Sequence, residues 1–170
     1  MFKFCSLYSG STGNSLFVET DNTKVLVDTG ESCKKIVEGL SSINVSADKI
    51  DAIIITHEHI DHVKSLGTIS KKFNIPVYAN TETWDAMPTQ RDKIETHNIK
   101  TFKIKEPFEI GDLRIKPFSI PHDAANPCGY NISFKKEKIR RCYLLWQNVK
   151  FVRNHYPVSY THLRAHETRS

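Results

Sequence analysis

Residues 50–62 read IDAIIITHEHIDH. Five of the first six are apolar, and the next seven hold three histidines and two acids. A short, β-branched, nearly uninterrupted apolar run fits a strand covered on both faces, as in the parallel sheets of α/β proteins. Such a strand ends at Ile55 and releases the chain at its C-terminal edge, where open α/β sheets commonly place ligands. The groups that follow would be crowded and desolvated there. Five titratable side chains have little to gain from one another unless something else binds them.

The rest of the chain supplies a matching frame. FKFCSLYS (2–9), SLFVET (15–20) and KVLVDTG (24–30) are short β-rich runs, separated by the turn-forming GSTGN and TDNT. ESCKKIVEGL (31–40) puts Ile36, Val37 and Leu40 at helical spacing, and VSADKI (45–50) reads as a short helical or turn connection. IDHVKSLGTISKKF (60–73) carries Val63, Leu66, Ile69 and Phe73 on one face, so a single helix is expected. IPVYAN (75–80) is a strand, and TETWDAM (81–87) a helix opening on a Thr cap. NIKTFKI (98–104), FEIGDLRIKPFSIPH (108–122) and GYNISFKKEKI (129–139) read as antiparallel strands, with Gly111–Asp112 as a hairpin turn. A β-meander, then βαβ, then further strands predicts an α/β protein with a mixed sheet covered by helices.

The spacing of THEHIDH explains its composition. His57 and His59 lie two apart, so they point the same way in an extended segment, and Asp61 continues that direction. His62 falls in the first turn of the next helix and faces across. Imidazole and carboxylate are ligands that zinc and similar divalent metals take. Two histidines plus one distant ligand make one metal site, and Asp61 and His62 begin a second beside it. Two metals about 3.5–4 Å apart can clamp an oxyanion between them. Glu58 points away from the histidines and reads as structural, and His97 as a solvated loop residue.

These residues resemble a known family. THEHIDH is similar to the signature of the metallo-β-lactamase-fold hydrolases, VLVDTG (25–30) to the family's first motif, and IPHDAANPCGY (120–130) to the segment carrying its third histidine. LYSGSTGNSLFVE (7–19), with HDAANP, resembles the WalJ/YycJ-type branch of cytoplasmic, exonuclease-like bacterial proteins. The resemblance covers residues 1–137. It implies that His57, His59 and His122 bind a first metal and Asp61 and His62 a second, zinc in both positions or manganese in its place. It also implies that Asp61 orients the attacking water and helps take its proton. Asp28 would stand behind the ligands, hydrogen-bonding the site; its plainer reading is a cap or turn residue ahead of Thr29. The turn at 9–15 lacks the phosphate-loop pattern and explains itself as a connection between strands. The resemblance sets it at the rim of the site, able to offer backbone N–H groups to a phosphate. Both readings stand at this point.

The expected fold is therefore the first half of a metallo-β-lactamase-type αββα sandwich over residues 1–139. The implied function is metal-dependent hydrolysis of a nucleic-acid phosphodiester, DNA or RNA, through a metal-bound hydroxide. Thioesters, lactones and β-lactams are the alternative substrates, and a non-catalytic metal-binding fragment the alternative outcome. Two departures weigh toward the latter. The resemblance implies a bridging Asp and a further His in a second half, yet no Asp follows Asp123. Composition also shifts at Arg140. Residues 138–170 hold seven Lys or Arg against one Glu, whereas residues 1–137 hold 17 basic and 18 acidic residues, so the net charge of +5 comes from the end of the chain. Residues 140–170 read as an aberrant or disordered tail of frameshift and adapter origin, and His155, His162 and His166 sit in no matching context. The four cysteines show no C-x-x-C spacing and are expected reduced, in a cytoplasmic protein. No window of ~18 apolar residues marks a membrane span and no signal peptide is expected.

Overall fold

A computed structural model describes residues 2–134, 141–144, 149–152 and 159–162. The elements run β1 (Lys3–Tyr8), β2 (Ser15–Glu19), β3 (Lys24–Val27), α1 (Cys33–Ser42), β4 (Ala52–Ile54), α2 (Ile60–Val63), α3 (Leu66–Phe73), β5 (Val77–Asn80), α4 (Thr81–Ala86), α5 (Pro88–Arg91), β6 (Ile99–Phe102), β7 (Phe108–Ile110), β8 (Leu113–Ser119), β9 (Cys128–Phe134), β10 (Arg141–Leu144), β11 (Val149–Val152) and β12 (Ser159–His162). Short 310 turns at Ala47–Lys49 and Thr96–Asn98 precede β4 and β6.

The strands form two sheets. One has the order β12-β1-β2-β3-β4-β5-β6 and the other β11-β10-β9-β8-β7. In the first, β1–β2 and β2–β3 pair antiparallel, and β3–β4, β4–β5 and β5–β6 parallel. The mixed sheet follows from the connections: tight turns allow antiparallel neighbours, whereas helical crossovers return the chain parallel. The second sheet is antiparallel throughout its described pairs. Outside β10–β12, whose backbone ladders alone are described, the expected tail at 140–170 lies outside the described residues.

Alternation along β4 shows how the layers stack. Ile53 and Ile55 join a helix-side core with Leu26, Ile36, Leu40, Leu66 and Trp84. Ala52 and Ile54 face the other way, into an inter-sheet core with Phe4, Val25, Val27, Ile115, Tyr130 and Ile132. Helices, first sheet and second sheet are thus three layers around two cores. Each large side chain removed from water contributes about 1.5–3 kcal/mol, so both faces of β4 carry much of the stability. β8 shows the other pattern, Leu113, Ile115 and Pro117 buried against Arg114 and Lys116 exposed, as an outer sheet with one wet face requires.

Three expectations are corrected. β6 pairs parallel with β5, not antiparallel, because α4 and α5 carry the chain back across the sheet. The helix of residues 60–73 is two helices. The main chain of Thr29 enters the break: Thr29 N–H donates to His62 O (2.7 Å), and Thr29 O accepts from Ser65 N–H (3.1 Å) and Ser65 Oγ (3.2 Å). The cap of α4 is Asn80 rather than Thr81, its side chain accepting from Thr83 N–H at 2.9 Å. The short α5, which opens on Pro88, has no counterpart in the sequence reading.

Candidate metal centre

Three connections at one end of the first sheet build the site. β3 ends at Val27, and the chain turns at Asp28 with φ 62°. That left-handed backbone is unusual for a residue with a side chain, though Asp is among those that tolerate it. It sends the carboxylate inward toward the end of β4, where Asp28 Oδ1 accepts from Thr56 N–H (2.8 Å) and Oδ2 from Thr56 Oγ1 (2.7 Å). Oδ2 also lies 2.8 Å from His62 Nδ1. A carboxylate at Nδ1 fixes the proton there and leaves Nε2 as the ligating nitrogen of the neutral ring.

The segment after β4 carries His57 and His59, and the loop between β8 and β9 carries His122. Their ligand atoms all lie within 4.8 Å of one another. His122 Nε2 is 3.3 Å from His59 Nδ1, close to the roughly 3.4 Å that separates two nitrogens on one tetrahedral zinc. The His57 ring centroid is 4.7 Å from those of both His59 and His122 and 4.1 Å from that of His62. Burial, then the neighbouring His62, pushes the His57 pKa down to about 3, so its imidazole is neutral near pH 7 and able to ligate. Burial opposes the charged form of His62 too, but the charge and hydrogen bond of Asp28, with Asp61, outweigh it and raise its pKa. Three convergent imidazoles of this kind fit a zinc-type ion.

Asp61 does not continue the direction of the first two histidines. It lies in α2, and its Oδ2 is 3.4 Å from His62 Nε2, so the two form a pair beside the three-histidine group. Glu58 Oε1 accepts from Ala125 N–H at 2.8 Å, holding the loop that brings His122 in. His97 is exposed and meets Asn74 Oδ1, away from the site. Two contributors were not singled out from sequence. Thr56 bridges Asp28 and His57, its Oγ1 lying 2.9 Å from His57 Nδ1. Asn14, inside the glycine-rich turn, reaches both Asp61 and His62. Turn chemistry accounts for an Asn there, and nothing local marks a contact 47 positions away.

Two facing sheets with helices on one side, and a histidine cluster at the sheet edge, define a metallo-hydrolase type of architecture. The chain belongs to the metallo-beta-lactamase superfamily, whose family model matches residues 8–131. It is 40% identical over 131 residues to exodeoxyribonuclease WalJ of Streptococcus pneumoniae, covering 76% of this chain and 49% of the relative. It is 38% identical over 136 residues to exodeoxyribonuclease YycJ of Bacillus anthracis, covering 80% and 52%. Both names are those of hydrolases. The chain thus spans about half the length of these curated relatives. Among solved structures, the class B3 di-zinc metallo-beta-lactamase LRA-12 from an Alaskan soil metagenome shares the fold with a TM-score of 0.62 at 16% identity, over 78% of this chain and 56% of that one.

Proposed function

We propose that the chain carries the ligand half of a metal-dependent exodeoxyribonuclease, with zinc bound by His57, His59 and His122 and a second site begun by Asp61 and His62. The observation that carries the reading is the convergence of three imidazoles from two sheets. The nucleic-acid substrate is inferred from the names of the WalJ and YycJ relatives. When bound, zinc supplies Lewis-acid polarisation of water and of phosphoryl oxygens. The chain's own residues do the rest. His57 stays neutral near pH 7, Asp28 holds the tautomer of His62, and Asp61 is placed to orient water and accept its proton. Manganese in place of zinc uses the same imidazole and carboxylate ligands.

Turnover by this chain is proposed to be weak or absent, because no Asp follows Asp123 to bridge two metals. Residues 140–170 are proposed to lie outside the hydrolase domain. Free thiols at Cys5, Cys33 and Cys128 support a reducing, cytoplasmic setting. No helix among the described residues is long and apolar enough to cross a membrane.

Elemental analysis of the purified chain and of its His57→Ala variant tests the metal reading. Bound zinc in the wild type and its loss in the variant are expected; equal content in both would refute it. Release of nucleotides from single-stranded and duplex DNA by the relatives' full-length counterpart of this chain, sensitive to Asp61→Ala, tests the substrate.

A further inference from the structure

Asn14 is the node between the glycine-rich turn and the Asp61–His62 pair. Its amide faces Gly10 at two points: Oδ1 accepts from Gly10 N–H (3.3 Å) and Nδ2 donates to Gly10 O (3.0 Å). That pairing fixes which end of the amide is which. Nδ2 also lies 3.1 Å from Asp61 Oδ2, 3.2 Å from His62 Nε2 and 3.5 Å from Asp61 O. An amide nitrogen has two hydrogens. One serves Gly10 O, and the other is directed at the acceptors of Asp61 and His62. The main chain reinforces the contact, because Asn14 N–H donates to Asp61 O (2.8 Å) and Asn14 O accepts from Gly30 N–H (2.9 Å).

The chemistry of that second hydrogen matters. With its Nδ1 proton committed to Asp28, the neutral His62 ring presents a lone pair at Nε2, and Asp61 presents one at Oδ2. Both atoms are acceptors, 3.4 Å apart. Two acceptors facing each other repel unless something positive lies between them. In this structure the polarised N–H of Asn14 meets both.

We infer that Asn14 is a positioning residue: its amide holds Asp61 Oδ2 and His62 Nε2 converged for a second metal ion, and so ties the turn at residues 9–15 to that half of the centre. The inference rests on the metal reading above. The turn thereby takes a role other than, or beside, direct contact with a phosphate. The three-histidine group does not depend on Asn14, because its members are held by Thr56 and by the loop anchored through Glu58.

Two measurements on the full chain test this. The first needs no metal: long-range 1H–15N spectra of the histidine side chains, recorded for the neutral rings. Asn14→Ala is expected to shift the Nε2 resonance of His62 while leaving those of His59 and His122 in place. The second is a Co2+ titration followed by absorption spectroscopy. Asn14→Ala is expected to weaken the second equivalent about tenfold or more, the usual effect of losing a partner that orients a ligand, with the first unchanged. Asn14→Ser, which keeps the turn chemistry but does not reach the pair, is expected to behave like Asn14→Ala and guards against a misfolded variant. Unchanged His62 signals and unchanged isotherms in both variants would overturn the assignment, as would equal weakening of both equivalents. A wild type that takes up one equivalent only would count against the two-metal reading, while the His62 signal would still decide the role of Asn14.

Discussion

The two ends of β3 carry similar polar clusters with different consequences. At its C-terminal end, Asp28 receives Thr56 N–H, Thr56 Oγ1 and His62 Nδ1. Before its first residue, the turn from β2 meets Asp112 of the second sheet, which accepts from Thr20 Oγ1 (2.6 Å), Thr23 Oγ1 (2.6 Å) and Asn22 Nδ2 (3.2 Å). Each cluster is a carboxylate with three donors, and each has a glycine beside it. A Cβ on Gly30 would lie 1.6 Å from Asp61 O, and one on Gly111, which has φ +55°, would lie 2.1 Å from Thr23 Oγ1. The difference is the imidazole. Asp28 binds one nitrogen of a ring whose other nitrogen faces Asp61 and Asn14, whereas the donors to Asp112 end in hydroxyls and an amide. A satisfied carboxylate is a structural device; it becomes part of a candidate site when what it holds has a second, ligating end.

The largest expected effect separates the clusters directly. Asp28→Ala leaves buried donors of Thr56 and His62 without their acceptor, and should cost about 3–5 kcal/mol in urea unfolding. Asp112→Ala, at a half-buried site, should cost about 1 kcal/mol. Equal losses would erase the distinction. Gly30→Ala comes next, at about 1–3 kcal/mol, because its new methyl meets main chain that no rotamer change can clear. It should also weaken zinc retention, measured by elemental analysis; full retention would show that the Asp61 loop can yield. Gly111→Ala should cost about 1 kcal/mol through its left-handed backbone, with Thr23 turning aside, and leave metal content untouched.

The smallest effect is a pH dependence. Burial works to raise the Asp112 pKa, but the hydrogen bonds from Thr20, Thr23 and Asn22 prevail and lower it below 3.8. The folded state therefore binds this proton less readily than the unfolded chain. The contribution is present above the unfolded value and disappears as pH falls through the folded one. Asp112→Asn should be slightly less stable than wild type near neutral pH, with the gap closing in acid. A gap that persists unchanged to the acid limit would mean that the carboxylate charge contributes nothing there.

Much of this arrangement was legible because it is local. The run 50–55 announces a strand buried on both faces, and the alternation of 113–117 announces a half-wet one. His57, His59, Asp61 and His62 stand in one seven-residue string, so their proximity needed no tertiary knowledge. His122 lies 63 positions from its nearest ring partner and was reached only through family resemblance. Asn14 and Thr56 carry no signal of their own, since Asn in a turn and Thr at a strand end are ordinary. The break in the helix of residues 60–73 was invisible for a related reason: its cause, the main chain of Thr29, comes from elsewhere. The parallel pairing of β6 depended on a crossover whose second helix was not read.

His57 and His59 follow a strand of the first sheet, and His122 follows a strand of the second. An ion held by all three is therefore a rivet through two layers, set at the rim of a seam otherwise closed by Phe4, Ile54, Tyr130 and their neighbours. The rivet cannot be seated until the layers meet, so its formation reports late assembly and its affinity reports how firmly the seam is shut. Loosening that seam far from the histidines would be felt as a weaker hold on the ion, and supplying the ion would tighten the seam in return.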